Sequence, residues 1–145
     1  MRLRGYLCGL VGAGVLTGIH QIGRRVRSDA PRMDEMGMRA LGRAMRGAGA
    51  EPPRDSLYQL ALAGDLTANA TYYSFIPART SAATWTRAVL LGTAAGVGAL
   101  LLPRHVGLGD PPHSDRLANQ LMTVSWYLAG ALATAAVAEL TSRRD

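Results

Sequence analysis

The chain has 145 residues, a formal net charge of +6 and 48% hydrophobic residues; its basic residues are all arginine, and it has one cysteine. This length suits one domain, a single cysteine excludes an internal disulfide framework, and clustered apolar residues exclude disorder along the whole chain. The charge alone does not indicate nucleic acid, because no aromatic–basic pattern or DNA-reading helix pair accompanies it.

Run length is the informative signal. A helix rises 1.5 Å per residue, so about 20 apolar residues cross a hydrocarbon layer of about 30 Å. Residues 5–23 carry no formal charge and are framed by Arg2, Arg4, Arg24, Arg25 and Arg27. This start resembles a secretion signal. The following His20-Gln21-Ile22-Gly23-Arg24-Arg25 offers no small-x-small cleavage site, so a retained membrane helix is expected. Cys8 lies too early for a lipid-attachment cysteine and reads as an apolar filler. Gly12-Ala13-Gly14-Val15-Leu16-Thr17-Gly18 is similar to a dinucleotide-binding glycine loop. No strand–helix alternation follows it, so these glycines are read as packing positions.

Residues 31–48 predict an amphipathic cytoplasmic helix. Pro31 suits a first helical position, with Asp29 near the cap. Asp34 and Glu35 at the start, and Arg43 and Arg46 near the end, complement the helix dipole. Gly47 and Gly49 can terminate it. Met33, Met36, Ala40, Leu41, Ala44, Met45 and Ala48 form one face. Arg39, Arg43 and Arg46 lie largely elsewhere and are candidates for contact with anionic lipid or a partner. Packing on the bundle's own cytoplasmic end is an equal alternative.

Residues 56–76 are long enough to span but carry Asp65 and Asn69. A carboxylate near a helix centre costs about 2.5–3.5 kcal/mol on insertion. Residues 82–103 form the next span, with Arg87 near its start and no polar face from 88 to 103. The loop 104–116 holds His105, Asp110, His113 and Asp115. Their spacing matches no compact metal motif, and its prolines and glycines make it a turn-rich loop. Residues 117–139 form the last span, uncharged through 138. The expected architecture is all-α: a single membrane domain over residues 1–145, with a four-helix transmembrane bundle as the favoured reading and three spans as the alternative.

Arginine counts set orientation. The segment 24–55 holds eight arginines and is placed in the cytoplasm. With four spans the totals are 10 inside and 6 outside; with three they are 12 and 4. The charge rule therefore mildly favours three, and the length of 56–76 favours four. Arginine-only usage points to a GC-rich bacterial genome, hence an inner (plasma) membrane.

Small residues recur at spacing four: Gly14 and Gly18, Gly92 and Gly96, Ala129 and Ala133, Gly130 and Thr134. Such faces let helices approach closely in lipid. Tyr6, Trp85, Trp126 and Tyr127 read as interfacial or packing aromatics. Tyr58, Asp65, Asn69 and Tyr72 fall at offsets of seven, four and three, on one helix face. Asp65 is the best single functional candidate, because an ionisable group at membrane depth often marks an ion or proton path. The competing reading is a structural cluster, with Asp65 bonded to Asn69, Ser125 or Thr123, or paired with Arg87. His20 reads as an amphipathic anchor, and Asn69-Ala70-Thr71 is a glycosylation acceptor in form only. Local sequence suggests no catalytic set and no cofactor.

The expected function is therefore a non-catalytic accessory or scaffold subunit of a membrane assembly, in contact with the lipid bilayer and with other subunits or copies of itself. One alternative is an oligomeric small transporter or channel using Asp65. Another is a membrane-embedded enzyme acting on lipid head groups through Asp29, Asp34, Glu35 and Arg39.

Overall fold

A computed structural model describes residues 3–142; Arg2, Arg143 and Arg144, counted above, lie outside them. The described residues form five helices and no strand: α1 (Leu3–Val26), α2 (Met33–Gly47), α3 (Leu57–Tyr73), α4 (Ser81–His105) and α5 (Leu117–Ser142). Three of them, α1, α4 and α5, are long and apolar enough to cross a membrane. At 24, 25 and 26 residues, each exceeds the roughly 30 Å of hydrocarbon.

The fourth expected span is shorter than the sequence suggests. α3 has 17 residues, rather than the 21 of 56–76. Pro77 disfavours helical geometry at Ile76. The chain turns instead, with Ile76 N–H donating to Tyr73 O at 3.0 Å. The second helix also differs from expectation. It starts at Met33, with Arg32 before it and no side-chain cap. Asp29 does not cap it. That carboxylate is held by Arg27 and Arg116. Its other end matches the expectation: Gly49 takes φ +77° and Ala50 N–H bonds Met45 O at 2.9 Å, as in a Schellman-type stop.

α5 packs between α1 and α4, α3 packs on α1, and α2 packs on α3. Neighbouring long helices run antiparallel. Gly12 meets Gly130 and Thr134, while Gly23 meets Trp126. Gly9 meets Ala70, and Gln21 bonds Tyr58. Gly92 faces Leu128 and Ala131, and Gly96 faces Val124. One end of the bundle therefore gathers the starts of α1 and α4 with the ends of α3 and α5. The arginine-rich end gathers α2 with the other four termini.

The core is small-residue packing around a few aromatics. Ala13, Ala70, Ala88, Ala131 and Ala135 are buried with Leu16, Tyr73, Ile76 and Tyr127. Tyr73 O–H donates to Tyr127 O at 2.8 Å, tying α3 to α5. The outward side is apolar: Leu7, Val11, Ile22, Val89, Leu90, Leu101 and Leu102 are exposed. Lipid-facing surfaces have this character.

Candidate functional site

Three helices converge on a cavity of about 30 Å³, with several polar side chains on a largely apolar wall, near the arginine-rich end. On α1, Thr17, His20, Gln21 and Arg24 line it. They recur every three or four residues and so share one face. On α3, Tyr58, Ala61, Leu62 and Asp65 do the same. α2 closes the side with Met33, Asp34 and Gly37, where Gly37 meets Ala61 at ordinary contact distance.

An ion pair lies toward the loop side. Arg24 Nη1 is 2.8 Å from Asp34 Oδ2, and Arg32 Nε is 3.3 Å from Asp34 Oδ1. Gln21 Nε2 donates to Tyr58 Oη at 2.6 Å. Asp65 Oδ1 accepts from Asn69 Nδ2 at 3.0 Å. Thr17 Oγ1 and His20 Nε2 are buried without a hydrogen-bond partner among the described residues. Buried polar atoms normally find one. The His20 ring sits edge-on to Trp126, with centroids 4.8 Å apart. Gly23 makes room for that indole: a β-carbon there would stand 2.6 Å from Trp126 Cη2. Trp126 thus packs between α1 and α5.

The predicted cluster divides. Tyr58 and Asp65 reach the cavity, and Asn69 braces Asp65. Tyr72 leaves the group, because its O–H donates to Leu91 O on α4 at 3.1 Å. Arg87 does not pair with Asp65; it caps Phe75 O and Pro77 O at the opposite end. Thr123 donates to Asn119 O. Thr17, His20, Gln21, Arg24 and Asp34 join a site that had been sought on α3 alone. The signal for four of them was the polar stripe Thr17-x-x-His20-Gln21-x-x-Arg24 at the end of the first apolar run.

The other predicted positions also sort. Gly92 and Gly96 are close-approach sites between α4 and α5. Gly14 and Gly18 meet nothing within 4 Å, and Gly9 and Gly12 make the close approaches of α1 instead. Arg39 Nη1 lies 3.3 Å from Asp110 O, and Arg43 Nη1 donates to Gly107 O at 2.7 Å. Both therefore fasten α2 to the α4–α5 loop. Arg46 lies over Gly42. The acids of a supposed lipid-head-group site are occupied by neighbouring arginines: Glu35 pairs with Arg32 and Arg39, Asp29 with Arg27 and Arg116. Among the described residues, no group of three or more His, Cys, Asp or Glu could hold a metal ion.

Chemically, the cavity joins the Asp65 carboxyl, the His20 imidazole and the Thr17 hydroxyl beside the Arg24–Asp34 ion pair. Such a set can hold a proton or orient water. Comparison with known proteins finds no matching family model, no similar curated protein and no similar solved structure.

Proposed function

We propose that the protein is a four-pass integral membrane protein of the inner (plasma) membrane, with its arginine-rich end in the cytoplasm, and that it serves as a non-catalytic accessory subunit of a membrane assembly. Connectivity supports four crossings. α1 ends at the arginine-rich end and α4 starts at the opposite end, so a chain in which both span must return through α3. A C-terminal tag should therefore be accessible from outside the cell; access from the cytoplasm would remove the fourth crossing.

The open face of α1 carries the assembly reading. Leu7, Val11, Gly14, Gly18 and Ile22 follow one another along that face, and both glycines are unopposed within the chain. In lipid, small-xxx-small faces favour association, since backbones can then approach closely. The double substitution Gly14→Ile with Gly18→Ile puts side chains into open space. It should abolish co-purification or self-association, read by native mass measurement, while leaving helicity and thermal stability unchanged. A parent that runs as a 15.3 kDa monomer without partners would overturn the assembly reading.

The cavity favours a second reading, an oligomeric carrier of protons or small cations. Asp65 lies in a cleft whose Thr17 and His20 atoms lack partners. Intramembrane carboxylates with polar surroundings often line such paths. Flux in vesicles should fall when Asp65→Asn is reconstituted; equal flux in parent and variant would remove this reading.

A further inference from the structure

Between α4 and α5 the packing opens toward the arginine-rich end. Gly92 and Gly96 hold the helices together. Beyond them lies a groove of about 510 Å³, within the range of small-molecule sites. Its inner wall is apolar, formed by Val97, Leu101, Leu121 and Val124. Its rim carries Arg104, Asp110 and Asp115. From Val97 to Arg104 the groove descends about 10 Å along the helix.

Two features define what fits. The rim side chains of Arg104, Asp110 and Asp115 make no ion pair with one another or with other described residues. Opposite charges thus line one rim, without an ion pair among the described residues, at the top of an apolar channel. The rim is also held in place. Asn119, 1% exposed, donates to His113 O and to Asp29 O, each at 2.8 Å. Gln120 Nε2 donates to Ser114 O at 2.8 Å.

We propose that this groove binds one phospholipid of the cytoplasmic leaflet with a zwitterionic, amine-bearing headgroup. Its phosphate meets Arg104, its ammonium meets Asp110 and Asp115, and the start of one acyl chain runs along Val97, Leu101, Leu121 and Val124. Charge complementarity selects this occupant. A headgroup with a single negative charge would face two carboxylates and one guanidinium. A zwitterion satisfies both signs. The inference rests on membrane placement of α4 and α5, and on neither the assembly reading nor the Asp65 reading.

The test uses the full chain in mild detergent, delipidated and then offered equal amounts of phosphatidylethanolamine and phosphatidylglycerol with identical chains. Native mass spectrometry should show one bound lipid, with phosphatidylethanolamine favoured about fivefold, the scale of an exposed charge pair. Asp110→Asn with Asp115→Asn should bring that preference close to one. Val97→Trp, at a position 40% exposed, should fill the channel and reduce retention of both lipids. Equal retention by the parent would overturn the inference, and this comparison needs no variant. A preference that persists in the double variant would also overturn it. Flotation with vesicles separates the underlying reading: a protein that does not float loses membrane placement, and one that floats without headgroup preference loses this inference alone.

Discussion

The two sides of the bundle solve opposite problems. Along the α4–α5 seam, Gly92 and Gly96 let helix backbones nearly touch. Across the α1–α2–α3 wedge, Gln21, Tyr58, Arg24 and Asp34 fill the space with polar side chains and leave a cavity beside Asp65. At these two glycines the contacts are with backbone and apolar side chains, so dispersion over close contacts contributes to the seam's stability. The wedge leaves Thr17 Oγ1 and His20 Nε2 buried and unpartnered among the described residues, free to meet water or a ligand. A chain this short thus separates holding together from holding something.

The sharpest way to break this contrast is to fill the seam. A β-carbon on Gly96 would stand 2.6 Å from Val124 Cα, and backbone cannot swing aside. Gly96→Ala should therefore cost about 2–3 kcal/mol by forced separation of the helices. Reversible unfolding in mixed micelles measures it. Gly64 is the control. Nothing lies within 4 Å of it, so Gly64→Ala should stabilise by about 0.5–1 kcal/mol through helix propensity. If both substitutions behaved alike, close packing at the seam would not be what holds it.

A smaller effect probes the link between the two sides. Tyr73 is fully buried and its O–H donates to Tyr127 O at 2.8 Å. Tyr73→Phe should cost about 1 kcal/mol without changing the helix content, as read by circular dichroism. No loss of stability would show that the hydroxyl contributes no cross-bundle tie.

These residues also show how much a linear reading can see. The long apolar helices α1, α4 and α5 were legible because run length and flanking arginines are local properties. The Gly92–Gly96 contact was legible as a pattern. Gly14 and Gly18 carry the same pattern yet face away from the chain, because spacing defines a face and not what stands opposite it. Gly5 and Gly9 share that spacing and do meet the end of α3, at Ser74 and Ala70, while Gly12 meets α5 from a neighbouring face. Asp65 was visible as a charge in an apolar run. His20 reads locally as an anchor, because its place with Asp65 around one cavity arises from antiparallel pairing of α1 with α3, which no local window contains. The Asp29 cap failed for a local reason: Arg27, two residues away, takes that carboxylate with two bonds, and Arg116, far along the chain, adds a third.

Asp65→Asn sharpens the contrast from the wedge side. The amide has the shape of the carboxylate, and its oxygen can still accept from Asn69. Removing a half-buried carboxyl that lacks a cationic partner among the described residues should leave stability equal to the parent or up to about 1 kcal/mol higher. Chemical unfolding checks this. A substantial loss would make Asp65 part of the scaffold and erase the distinction between seam and site.

The smallest expected effect lies at the loop that joins the wedge to α5. Arg27 grips Asp29 with two bonds of 3.1 Å, Nε to Oδ1 and Nη2 to Oδ2, while Arg116 Nη1 reaches Oδ2 at 3.3 Å. The Arg27 hydrogen bonds hold the Asp29 carboxyl below its usual range. A carboxylate whose folded value is depressed adds stability that is present above its unfolded value, near 4. That contribution fades as pH falls through the folded value. Asp29→Asn should therefore lower the thermal midpoint slightly at pH 7, and the gap between variant and parent should shrink as pH drops below about 4. High salt should narrow the gap at neutral pH as well, because the pair is exposed and screened. No gap at neutral pH and low salt would place the contribution of Asp29 in its backbone carbonyl, which accepts from Asn119 Nδ2 at 2.8 Å and survives in the variant unchanged.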